Sequence, residues 1–195
     1  MIYYSIDSRA RDKVYFGLVL VSVALASAVP YLTNLVSMKL TAPSAMIIFY
    51  WLFPVFERHL WRWPCIHWFA SIPLIEGTWT GTLVRHDDSN TTAQPRAVSL
   101  SVTQNWRTMS VILHGTHSKS HAQVIALSIT NKNDIVLRYI YLAKDNSGVN
   151  PTNLYGEGTA ELTFKRESTT ETLSGVYYSS KLRKGFLSLT KATAS

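Results

Sequence analysis

Four histidines, His86, His114, His117 and His121, are the first side chains that could hold a metal. His117 and His121 have the spacing that puts two ligands on one helical face. The stretch 115–121 reads as a hairpin loop, however, where that spacing carries no such meaning, and no carboxylate stands at a ligand position beside it. The single cysteine, Cys65, lies among Trp63, Ile66 and Trp68 and reads as buried bulk rather than as a nucleophile. There is no glycine-rich phosphate loop, no serine elbow and no paired acidic motif. The expectation is a non-enzyme with no catalytic residue, metal or cofactor.

Binding chemistry is better represented. Residues 76–195 hold 13 Lys and Arg against 9 Asp and Glu, and several of these cations adjoin aromatics. Trp106-Arg107, Arg138-Tyr139 with Tyr141, and Tyr177-Tyr178 followed by Lys181, Arg183 and Lys184 are the candidates. A guanidinium takes phosphate oxygens in a bidentate pair while a ring stacks on a base, so the pattern suits a phosphate-bearing nucleotide. The same surplus also suits anionic lipid headgroups. The expected ligand-binding set is Arg138, Tyr139, Tyr141, Trp106, Arg107 and Tyr178. Arg138 shares a strand face with Val136, Ile140 and Leu142, where a cation needs a partner or an anionic ligand. In the opposite register Tyr139 and Tyr141 line the interior, and the sequence does not choose between the two.

Eight runs of period-two alternation supply the elements for these side chains: 77–84, 97–104, 109–115, 123–130, 135–142, 159–166, 171–179 and 185–191. Val98, Leu100 and Val102 alternate with Ser99, Ser101 and Thr103, for example. Turn-forming clusters such as Asn131-Lys132-Asn133-Asp134 separate the runs, and no stretch after residue 75 reads as a helix. Sequential strands without crossover helices make an antiparallel meander. An eight-stranded up-and-down barrel removes its edges most simply, with a sandwich as the competitor. Such a barrel has room for side chains or one small ligand.

The first third is different. Residues 14–56 carry one charge, Lys39. Residues 14–38 alone make a helix of about 37 Å, enough to cross a bilayer core of about 30 Å, with Pro30 expected to kink or end it. A shorter apolar run follows over residues 44–61, with Pro43 at its first turn, and Trp51, Trp61, Trp63 and Trp68 cluster as an interfacial belt would. Arg9, Arg11 and Lys13 before the first run and Arg58 and Arg62 after the second place both ends in the cytoplasm. The division is a membrane domain, 1–72, with two helices at about 14–36 and 43–61, and a cytoplasmic barrel, 73–195. The rival is a cleaved signal peptide ending at Ala26-Ser27-Ala28.

Gly77-Thr78-Trp79 matches the short glycine-x-tryptophan signature of lipocalin-like barrels, whose indole plugs one end; Trp79 is expected to do so here. Taken with the apolar hairpin, the Arg58-His59-Leu60-Trp61-Arg62-Trp63 junction and the strand opening Ile75-Glu76-Gly77-Thr78-Trp79-Thr80-Gly81, the chain resembles the two-transmembrane β-barrel effectors of CBASS, the bacterial cyclic-oligonucleotide antiphage system. That resemblance implies an inner-membrane receptor whose barrel binds a cyclic dinucleotide made by a partner nucleotidyltransferase. It also implies homo-oligomerisation, bilayer damage and cell death, with no polymeric nucleic acid as partner. The alternative function is a tethered barrel for lipid or another apolar ligand, and a third is a scaffold with a filled core.

Overall fold

The fold is a computed structural model that describes residues 1–7, 10–35, 44–64, 66, 72–86, 94–131, 134–145, 155–167, 170–180 and 183–192. Arg9, Lys39, Pro43, Cys65, Trp68 and Lys181 lie outside these residues. The chain divides into two compact units, 8–73 and a second made of 1–7 with 74–195.

The second unit is a closed barrel of nine strands: β1 (Ile2–Asp7), β2 (Gly77–His86), β3 (Arg96–Gln104), β4 (Thr108–His114), β5 (Ser118–Asn131), β6 (Asp134–Asp145), β7 (Tyr155–Glu167), β8 (Thr170–Ser179) and β9 (Arg183–Lys191). Strands β2 to β9 form the expected antiparallel meander, and β2 pairs with β9 to close it. The eight-strand expectation is corrected by β1. It comes from the extreme N-terminus and wedges between β4 and β5, antiparallel to the first and parallel to the second. Its alternation covers only six residues, and the expected membrane domain of 1–72 takes them in. Its Tyr4 is buried, and Ile2 and Ile6 pack against the barrel core.

Strand β5 begins at Ser118, five residues before the expected start. Its pairing with β6 shifts register between Ala122 and Val124. Ser120 is inward before the shift, whereas Ile125 and Leu127 are inward after it, so the alternation changes phase within one strand.

One end of the barrel is filled. Trp79 is fully buried, its Nε1 donates to the Ile75 carbonyl at 3.1 Å, and its ring meets Phe164 edge-on at 5.9 Å. Lys191 Nζ lies 5.5 Å from the indole centroid. Gly77, which opens β2 at φ 139°, adopts a backbone angle that side-chain-bearing residues rarely take. Leu100, Val102, Met109, Leu162, Leu173 and Leu189 complete the packing.

The other unit contains α1 (Ala10–Leu35), α2 (Ala45–Arg58) and a short 3-10 turn, Leu60–Arg62. Of the helices among the described residues, α1 alone is long and apolar enough to cross a membrane, over Arg11–Pro30. It continues past Pro30 to Leu35, so the expected end at that proline is not found. Ser22 and Ser27 donate their hydroxyls to the carbonyls of Leu18 and Val23, one turn back, leaving neither donor unpaired. Helix α2, with 14 residues and Pro54 inside it, is about 21 Å long, shorter than a bilayer core. Ser44 caps it by accepting from Ile47 N, and Phe53 packs on Tyr15 of α1 with rings 5.8 Å apart. Of the two spanning helices expected, one helix of spanning length is therefore found among the described residues, and α2 is too short to be a second.

On the barrel wall, burial works to raise the pKa of the Glu171 carboxylate. Hydrogen bonds from Lys191 and Arg166 outweigh that burial and hold it below its ordinary value. A carboxylate held low in the native state stabilises the fold above its unfolded pKa and loses that contribution as pH falls through the native one. Chemical denaturation of wild type and Glu171→Gln should differ near neutral pH, with the gap closing on acidification.

Candidate functional site

The opposite end of the barrel is not filled. The ends of β2, β4, β6 and β8 and the starts of β3, β5, β7 and β9 surround a cavity of about 290 Å³, at the lower bound of ordinary ligand pockets. Its floor is apolar, from Leu83, Val98, Leu113 and Leu187. Its walls differ by strand. On the adjacent strands β3, β2 and β9 stand Arg96, Arg85 and Arg183. On β6 and β8 stand Tyr139, Tyr141 and Tyr177. The β4–β5 hairpin contributes Thr116, His117, Ser118 and Ser120.

The arginines hold the clearest electrostatic signal. No Asp or Glu lines the cavity among the described residues. Arg85 Nε is buried without a hydrogen-bond partner among the described residues, while Arg96 and Arg183 are exposed at the rim. A buried guanidinium nitrogen with nothing to bond carries an unmet desolvation cost that an anion placed there would repay. Each arginine continues an inward series on its strand: Trp79, Gly81 and Leu83 lead to Arg85; Leu100 and Val98 lead to Arg96; Leu189, Leu187 and Gly185 lead to Arg183.

The tyrosine wall is built by pairing rings with glycines. Tyr141 lies opposite Gly158 and Tyr177 opposite Gly185. A methyl group at Gly158 would strike the Tyr141 ring and hydroxyl, and one at Gly185 would strike the Tyr177 ring. The missing side chains are the space the rings occupy. Tyr141 Oη donates to the Tyr178 carbonyl at 3.2 Å. Burial, with the neighbouring Tyr177 adding to it and a hydrogen bond with Ser179 opposing, pushes the Tyr141 pKa up to about 12. Burial also raises Tyr139, with Tyr141 contributing. Both phenols are therefore protonated donors at neutral pH.

Of the residues expected from sequence, Tyr139 and Tyr141 lie in this cavity. Arg138, immediately before Tyr139 in β6, points outward: its side chain is half exposed and ion-paired with Glu161 on β7, Nε to Oε2 at 2.9 Å. That register places Arg138 against its cross-strand partner and settles the alternative left open by alternation. Tyr178 is on the outer face, 55% exposed. Trp106 and Arg107 belong to the β3–β4 turn at the filled end, Trp106 buried and Arg107 with its guanidinium 5.9 Å from the Tyr3 ring centroid. His117 is at the cavity while His114 and His121 are exposed on β4 and β5. No group of three or more His, Cys, Asp or Glu side chains comes together among the described residues. Arg85 and Arg96 are the cavity residues that reading cation–aromatic neighbours in sequence passes over, while Tyr177 and Arg183 stand in one of those clusters but not in the expected binding set. The signal that finds them is strand parity.

A barrel filled at one end and open at the other, with a cationic wall facing an aromatic one, defines a ligand receptor. Residues 70–191 match the family model described as Cap15, cyclic dinucleotide receptor domain, and the chain belongs to that family of CBASS effectors. No curated protein matches the chain.

Tyr141→Phe removes one hydroxyl and its bond to Tyr178 O while keeping the ring. The barrel should lose about 0.5–1.5 kcal/mol in denaturant titration and remain folded.

Proposed function

We propose that the open-end cavity binds a cyclic dinucleotide and that binding drives the chain to oligomerise and disrupt the membrane that α1 crosses. The observation that carries this reading is the buried Nε of Arg85, which has no partner among the described residues, with Arg96 and Arg183 in a cavity that no described acid lines. Arg85 with the rim arginines takes the phosphates, and Tyr139, Tyr141 and Tyr177 across the cavity face the base-bearing part of the ligand. Family membership supplies the ligand class. The ligand is the product of a partner nucleotidyltransferase.

The placement of β1 supports a two-pass topology. Residues 1–7 and 74–192 belong to one barrel, so the segment between them leaves and returns to a single compartment. If α1 crosses, the chain after it must cross back, and α2 with the turn at Leu60–Arg62 supplies the apolar length for most of that return. Arg11, Lys13, Arg58 and Arg62 flank the two proposed passes, which favours a barrel on the cytoplasmic side of the inner membrane. Confinement to the bilayer raises effective concentration, so a modest preference of the ligand for the assembled form is enough to shift assembly. Packed copies then breach the bilayer and the infected cell dies.

The apolar floor of Leu83, Val98, Leu113 and Leu187 favours a second reading, a lipid whose anionic head meets the arginines. Thermal shift of the detergent-solubilised full chain against a panel of cyclic dinucleotides separates the two. A cyclic dinucleotide should raise the midpoint, and Arg85→Ala should weaken its binding by about 10–150-fold, the worth of one charged hydrogen bond. Arg138→Ala, on the outer face, should leave it unchanged. No shift with any cyclic dinucleotide, together with lipid co-purifying in the barrel, would overturn the first reading.

A further inference from the structure

One buried side chain holds both ends of the chain that flank the helical unit. Gln104, the last residue of β3, is fully buried. Its Oε1 accepts from Ile75 N at 3.0 Å, and its Nε2 donates to Tyr4 Oη at 3.4 Å. Tyr4 Oη in turn donates to the Asn105 carbonyl at 3.3 Å. Tyr4 lies in β1, three residues before the chain leaves the barrel, and Ile75 lies just after its return. A buried amide that loses either partner bears the full cost of desolvation, so departure and return are tied to each other through Gln104.

Strand β1 is also gripped by two of the strands around the cavity, β4 and β5. β4 and β5 pair with each other at Ile112, Leu113 and His114, next to the hairpin that carries His117 and Ser118. Beyond that point they part, and β1 fills the gap. It pairs with β4 at two positions, Ile2↔Met109 and Tyr3↔Thr108, and with β5 from Tyr4↔Ile125 to Asp7↔Ser128. The separation of β4 and β5 therefore sets both the shape of the rim and the hold on β1. Three residues after Asp7, α1 begins.

We infer that β1 is a clasp that couples ligand seating to the helical unit, with Gln104 as its fixed point. A ligand drawn against the β4–β5 hairpin changes the spacing of those strands, the change reaches β1, and Asp7 passes it covalently to α1. The barrel can bind ligand without the clasp, but it cannot transmit binding. This inference rests on the cavity being the cyclic dinucleotide site.

Two substitutions in the full chain test it. Tyr4→Phe keeps the ring and removes the hydroxyl. Gln104→Met keeps the length and removes both amide hydrogen bonds. Calorimetric titration of the solubilised chain with the cyclic dinucleotide that shifts wild type measures binding. Loss of membrane-potential dye signal in cells co-expressing a cyclic-dinucleotide-making nucleotidyltransferase measures output. Binding should stay within about threefold of wild type while depolarisation falls about tenfold, a coupling of ordinary allosteric size. Depolarisation unchanged in both variants overturns the clasp, and so does a loss of depolarisation that only parallels a loss of binding. If Gln104→Met does not fold, Tyr4→Phe decides alone. Wild type that binds no cyclic dinucleotide rejects the underlying assignment of the cavity; wild type that binds, with variants that still depolarise, rejects the clasp only.

Discussion

A sheet that closes on itself has an inside, and every residue of one parity along each strand must be accommodated there. The nine strands of this barrel meet that demand differently at their two ends. At one end Trp79, Leu100, Met109, Phe164 and Leu189 fill the space. Toward the other, the same inward series on β2, β3 and β9 change from apolar side chains to Arg85, Arg96 and Arg183. The barrel thus has a sealed end and a cationic mouth without any separate binding domain. Glycines complete the arrangement, because Tyr141 and Tyr177 can lie against the wall only where Gly158 and Gly185 leave room.

The sealed end has a second task. Its hydrogen bonds run from Trp79 to Ile75, from Ile75 to Gln104 and from Gln104 to Tyr4. That series joins the residues on either side of the helical segment. Two elements join that segment to the strands around the cavity: β2, which follows Ile75 and carries Leu83 and Arg85, and β1, which is held through Gln104 and pairs with β4 and β5. Ligand chemistry at the mouth and mechanical connection at the base are properties of one closed sheet.

Much of this was legible in the sequence. The alternation of Val98, Leu100 and Val102 locates β3 to within one residue, and the Ile75–Gly81 segment carries the resemblance that the family match confirms. Three things were not legible, each for a physical reason. β1 has only six residues and stands apart in sequence from the other eight strands, so its alternation carries little weight alone. β5 changes phase at its register shift, which hides its first five residues. The binding set was sought among cations adjacent to aromatics in sequence, yet neighbours in a strand point to opposite faces. Arg138 beside Tyr139 illustrates this: one meets Glu161 outside and the other faces the cavity. Residues two apart, not one apart, share a site in a barrel.

The central claim is that the mouth of this barrel, and not its outer face or its sealed end, holds the ligand phosphates. A structure of the full chain with a bound cyclic dinucleotide tests it most directly. Phosphate oxygens within hydrogen-bond distance of Arg85 Nε, with Arg96 or Arg183 on the same anion, is the predicted result. Ligand seated on the outer face at Arg138 and Tyr178, or at the Trp106–Arg107 turn, with the cavity unchanged, would contradict the account.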